Sequence, residues 1–192
     1  MLARLAAGTL LAALLVSGCG SSGPTIPPSK LSKLVLQRSD LSEQFAAFYF
    51  GRELASDQPG FRPDPQRFGR LGGWIARYHR GGSSKTAGPL VVVSRTDLFK
   101  GSSGAKSQLA LYRSELEKSP ATKVDVGKLG DEAFGITTLR PGALSVRSYA
   151  IAWRDANASA LLELNGFAGK LTLPDALVFA RRQEQHLRAA LR

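Results

Sequence analysis

Leu90-Val91-Val92-Val93-Ser94-Arg95, together with the helical period from about Ser103 to Lys118, is the stretch on which the fold turns. The six residues are a β-branched apolar run of the kind found in central strands. Beyond a Gly/Ser turn, Ala105, Leu109, Tyr112 and Leu116 recur at steps of four, three and four, lining one face of a helix that Pro120 stops. Upstream, Trp74-Ile75-Ala76-Arg77-Tyr78 alternates as a half-buried strand. The same order returns later. Val146 to Arg154 alternates with Tyr149, Ile151 and Trp153 on one face, and Ala158 to Phe167 is another apolar strand. Leu173-Pro174-Asp175 then opens a terminal helix, with Pro174 at a permitted first-turn position.

At a constant offset of 71, Val91 falls on Leu162, Val93 on Leu164, Ala105 on Ala176, Leu109 on Ala180 and Leu116 on Leu187. The pattern predicts an α+β fold: an antiparallel β-sheet with helices packed on one face. A duplicated ββα unit would add pseudo-twofold symmetry between the halves. Chance likeness of a common strand–strand–helix pattern is the alternative. Phe134 to Leu139 reads as a further strand, and Ser39 or Asp40 as the cap of a short helix ending near Phe45. Ala47 to Gly51 is aromatic-rich and ambiguous between helix and strand.

Ahead of the domain stands an export signal. Arg4 supplies the positive n-region, Leu5 to Val16 the apolar h-region, and Ser17-Gly18 the small residues before Cys19. The run is too short to span roughly 30 Å of hydrocarbon comfortably. Val16-Ser17-Gly18-Cys19 looks like a bacterial lipobox: an apolar residue, two small ones, then cysteine. Similarity to bacterial lipoproteins implies diacylglyceryl transfer to the Cys19 sulfur and cleavage just before it. A plain secretory signal with a coincidental cysteine is the other reading, and Cys19 being the chain's one cysteine weighs against it. The following Gly/Ser/Pro stretch to Ser29 has no core to fold around. The organisation expected is therefore a signal peptide at 1–18, a lipidated Cys19 and flexible tether at 19–29, and one globular α+β domain at 30–192.

The 192 residues carry 26 Lys+Arg against 15 Asp+Glu, a formal charge of +11, with 43% hydrophobic residues. Such a composition fits an ordinary globular domain. One cysteine excludes a disulfide framework and multi-cysteine zinc or iron–sulfur sites. His79 and His186 stand far apart, and no Gly-x-Ser-x-Gly elbow, His-Glu-x-x-His, calcium loop or P-loop occurs. No catalytic residue, metal or cofactor is assigned. Between Arg52 and Lys85 seven basic residues (Arg52, Arg62, Arg67, Arg70, Arg77, Arg80, Lys85) face three acids. The run is either a solvated surface or a contact for anionic phospholipid or wall polymer, at about 1 kcal/mol per basic residue near a membrane. Nucleic acid is not expected, since no recognition motif accompanies the charge. Asp57 to Leu71, rich in Pro and Gly, reads as a long irregular excursion, a setting that is often functional. Phe61, Arg67, Phe68 and Arg70 within it are the candidate binding residues.

With its lipobox, its tether, Lys128-Leu129-Gly130-Asp131-Glu132-Ala133, the Trp153-Arg154 strand end and the basic terminal helix, the chain resembles small lipoproteins of Gram-positive, especially actinobacterial, type. Related kinds are PsbP/Mog1-like lipoproteins and the extracytoplasmic sensor domains of some bacterial Ser/Thr kinases. The latter carry cysteine pairs, which this chain lacks. The resemblance implies an antiparallel α+β fold serving a non-enzymatic binding, sensing or accessory role, lipid-anchored on the extracytoplasmic face of the cell membrane. Partners would be the membrane through Cys19, and anionic lipid, wall polymer or an envelope protein. A cell-envelope hydrolase is the alternative, to be told apart by a nucleophile–base pair in the pocket.

Overall fold

The computed structural model describes residues 23–53 and 68–192; the expected signal peptide at 1–18, Cys19, Phe61 and Arg67 lie outside them. Among the described residues, seven strands form one sheet: β1 (Ala46–Arg52), β2 (Arg70–His79), β3 (Val91–Phe99), β4 (Thr122–Val124), β5 (Glu132–Arg140), β6 (Val146–Asp155) and β7 (Ala158–Phe167). Every neighbouring pair is antiparallel, in the order β1-β2-β3-β7-β6-β5-β4. Two α-helices, α1 (Ser102–Glu117) and α2 (Leu173–Ala190), accompany it, with 3-10 turns at Pro28–Lys33 and Arg38–Asp40. The α+β class and the antiparallel sheet agree with the sequence reading.

Directly paired residues share a face of a sheet. Val92 pairs with Leu164, and Leu164 with Tyr149; Leu162 pairs with Ile151, and Ala160 with Trp153. These side chains build the main core with Ala176, Ala180 and Leu187 of α2 and with Leu34, Val35 and Leu36 of the N-terminal segment. The alanines thin the inner face of α2, which lets the helix lie close over the strands. On the other side, Leu161 and Ala152 are covered by Leu109 and Tyr112 of α1.

The two helices thus lie on opposite faces of the sheet, which corrects the expectation of helices packed on one face. The pseudo-twofold duplication falls with it. Parity is the reason. β3 and β7 pair even with even and odd with odd, Val92 with Leu164 and Val93 with Glu163. An odd offset of 71 therefore matches side chains on opposite faces. Val93 points to the α1 side and its match Leu164 to the α2 side; the two strand–helix units are alike only locally.

Two smaller departures concern the N-terminal half. Asp40 does not cap a helix running to Phe45: it closes a 3-10 turn, its Oδ2 accepting from the Gln37 N–H at 2.6 Å. The ambiguous aromatic stretch becomes the edge strand β1.

The packed chain also begins inside the stretch read as tether. Ile26 is only 1% exposed. Its N–H donates to Asn157 Oδ1 at 2.7 Å, and its carbonyl accepts from Asn157 Nδ2 at 3.1 Å. Docking continues along β3: the Leu36 N–H donates to Ser94 Oγ and Thr96 Oγ1 to the Leu34 carbonyl. The Tyr78 hydroxyl donates to the Leu36 carbonyl at 2.8 Å. Burial, helped by the charge of Asp40, pushes the Tyr78 pKa up to about 12, so the hydroxyl keeps its proton for that bond.

Antiparallel connectivity sorts the loops to two ends of the sheet. The turns at 80–90, 141–145 and 168–172 gather at one end, where the Gly88 N–H donates to the Lys170 carbonyl. Lys100, Asp131, Ala156 and Asn157 gather at the other end, together with Gly23, Pro24 and Thr25.

Candidate functional site

Arg70 is turned inward. Its side chain is 11% exposed, its guanidinium lies 2.7 Å from Asp97 Oδ1 and 3.3 Å from Glu53 Oε2. Arg95 Nε stands 3.0 Å from Glu53 Oε1, an ion pair by distance that is off the hydrogen-bond axis. The Tyr112 hydroxyl donates to Asp97 Oδ2. Gly73, opposite Asp97 on β2, leaves the space the Arg70 guanidinium occupies, since a Cβ there would meet it at 1.9 Å. Two acids and two arginines balance one another in this buried cluster, which ties the end of β1 to β2, β3 and α1. The cluster does structural work, and Arg70 is not available to an anionic surface. Phe68 is half-buried, its carbonyl packed where a Cβ on Gly104 would come within 2.4 Å.

Nor do the described members of the basic run from Arg52 to Lys85 form one patch. Arg52 is exposed at the end of β1, Arg77 lies 5.5 Å over the Tyr49 ring, and Arg80 belongs to the opposite end of the sheet.

At that end a cleft of about 600 Å³ opens between the N-terminal segment, the β2–β3 turn and α2. Arg80 is held from three sides: Nε donates to the Pro89 carbonyl at 2.7 Å, Nη1 to Gln44 Oε1 at 2.9 Å, and Nη2 to the Ala87 carbonyl. Its guanidinium sits 5.0 Å from the Phe45 ring centre. Across the cleft Arg182 lies 5.8 Å from the Phe179 ring and donates to the Asp40 carbonyl. The carboxylates of the cleft are already engaged. Asp40 Oδ2 is 2.8 Å from His186 Nε2, and Asp175 closes the capping box of α2 with Thr172. Arg80 and Arg182 stand there beside the carboxylates of Asp40 and Asp175, so the cleft offers fixed guanidinium groups and no net excess of charge, over an apolar floor of Phe45, Leu41 and half-exposed Val178. Such a surface suits an anionic group carried on a partly apolar body.

The Asp40–His186 pair is half of a hydrolytic relay. Among the described residues neither Ser39 nor Ser42 hydrogen-bonds to His186. It fastens α2 to the N-terminal segment. Arg80 and Arg182 were not among the sequence candidates because they meet only through the packing of α2 against the β2–β3 turn. The signal available was the pair of aromatic–arginine spacings, and these are common by composition.

At the other end a second groove of about 480 Å³ is lined by Gly23, Lys100, Ser102, Arg154 and Asp155, among others. Burial, then the charge of Asp131, raises the Asp155 pKa above the ordinary aspartate range, with Arg188 pulling the other way. The raised value means the charged form is disfavoured in the fold. The stability Asp155 contributes is complete below the unfolded pKa of about 3.9 and is lost as pH rises through the folded value. Asp155→Asn should thus gain on the parent in urea unfolding between pH 3 and pH 7. A gap that stays constant, or shrinks, over that range would contradict the assignment.

No family model matches the chain, and no curated protein matches it significantly in sequence. In fold it is similar to the extracellular domain of PknH from Mycobacterium tuberculosis, with a TM-score of 0.65 at 10% identity, over 86% of this chain and 98% of that one. The likeness expected to the extracytoplasmic domains of bacterial kinases holds for the architecture, which stands here without a cysteine pair.

Proposed function

We propose that the chain is a non-enzymatic, lipid-anchored binding or sensing domain on the extracytoplasmic face of the cell membrane, with the Arg80–Arg182 cleft as its ligand surface. The observation that carries this reading is the cleft itself: two arginines fixed by backbone carbonyls and aromatic rings over an apolar floor. The lipobox supports the location, and so does the likeness in fold to an extracellular domain. The ligand chemistry is an anionic group such as anionic cell-wall polymer presents.

The lipid-free protein should be retained on immobilised anionic wall polymer and ignore a neutral one. Retention should weaken steeply from low to physiological salt, where exposed charges are screened over about 8 Å. Arg182→Glu alone, and with Arg80→Glu, should weaken binding by at least about tenfold, the equivalent of one 1.4 kcal/mol step. Charge reversal at Lys118 and Lys123, which pair with Glu115 and Glu117 away from the cleft, should change little. Equal losses from both pairs of substitutions would mean that net charge, and not the cleft, does the binding.

A further inference from the structure

We propose that acylation of Cys19 stands the domain end-on, with the end that carries Gly23 and Lys100 on the lipid head groups and the Arg80–Arg182 cleft held at the far end. The inference rests on the lipid-anchor reading above. Cys19 precedes Gly23 by four peptide steps, so a fully extended chain places the anchor within about 14 Å of it. Counted from Ile26, pinned by its two bonds to Asn157, the reach is about 25 Å. The ten residues of β7 separate the two ends by roughly 30 Å. A tether that short cannot turn the molecule over to set its cleft on the bilayer.

Between end-on and side-on postures the surface chemistry decides. Arg52, Lys100 and Lys128 are exposed at the anchored end, beside Leu71, which is 44% exposed. Several acids near that end face arginines: Asp131 and Glu132 lie 2.9 and 3.5 Å from Arg154, and Glu184 lies 2.6 Å from Arg188. Lysine and arginine with an apolar side chain among them suit anionic head groups. The cleft then faces away from the bilayer. Its anionic ligand comes from the wall side and not from membrane lipid.

Because Cys19 is the chain's one cysteine and its sulfur would carry the lipid, a cysteine introduced elsewhere is the only free thiol of the mature protein. Ser103→Cys at the anchored end and Leu144→Cys at the far end, both at exposed positions, can each take a donor dye on the full lipidated chain. In vesicles of anionic phospholipid bearing a head-group acceptor, energy transfer should be strong from position 103 and weak from position 144. Equal transfer from both sites on vesicle-bound protein shows a side-on posture and overturns the proposal; stronger transfer from 144 does so outright. Protein whose mass lacks the lipid, and which stays in the supernatant, would instead bring down the anchor reading and this orientation with it.

Discussion

Cys19→Ala is expected to abolish lipid labelling and to move the protein from the membrane to the soluble fraction. The effect should be close to all-or-none. Each buried acyl CH₂ contributes about 0.8 kcal/mol, and several chains together hold a protein that one chain holds only marginally. Charge at the anchored end cannot replace this. Exposed lysines contribute about 1 kcal/mol each near an anionic surface and are screened by salt. The variant should therefore show at most a residual membrane association that a salt wash removes. Metabolic labelling with a fatty-acid analogue, followed by fractionation with and without salt, checks both parts. Salt-resistant membrane retention equal to that of the parent would overturn the lipoprotein reading.

The second large effect lies in the buried ion cluster. Arg95→Met keeps most of the side-chain volume and removes the guanidinium 3.0 Å from Glu53, whose carboxylate stays buried. Breaking a buried pair from one side is expensive because the remaining charge keeps its desolvation cost, and about 3 kcal/mol is expected here. For a domain of this size that corresponds to roughly 6–12 °C in Tm. Arg95→Met leaves Glu53 and Asp97 to share Arg70, so adding Glu53→Gln restores the charge balance and should recover part of the loss, giving a coupling energy in a double-mutant cycle. Thermal and urea unfolding of the four proteins measures it. Additive losses, or a single-variant cost under 0.5 kcal/mol, would show that the cluster does not hold β1, β2 and β3 together.

Arg70 shows why a basic run is a poor guide to a basic surface. Its neighbours in sequence include Gly69, Gly72 and Gly73, a setting that reads as a loop. Its partners, Glu53 and Asp97, arrive from two other strands and draw the guanidinium inside. Ile26 makes the same point for the tether. Composition describes how a free chain would behave, but Asn157, in the turn between β6 and β7, offers the isoleucine backbone both a donor and an acceptor.

The elements themselves were legible. Ala158–Phe167 is β7 to the residue, and α1 and α2 lie within a residue or two of the spans their apolar periodicity indicates, because that periodicity depends only on local geometry. The sequence even holds a hint of the layer arrangement. β7 reads Ala158-Ser159-Ala160-Leu161-Leu162 without alternation, the mark of a strand covered on both faces. What the sequence alone determined is thus a set of strands and helices in an antiparallel α+β order. Which face each helix covers, which arginines are buried, and that Arg80 meets Arg182 were decided by tertiary structure. Each of these depends on pairing register and on charges brought together from distant parts of the chain, and local periodicity carries no record of either.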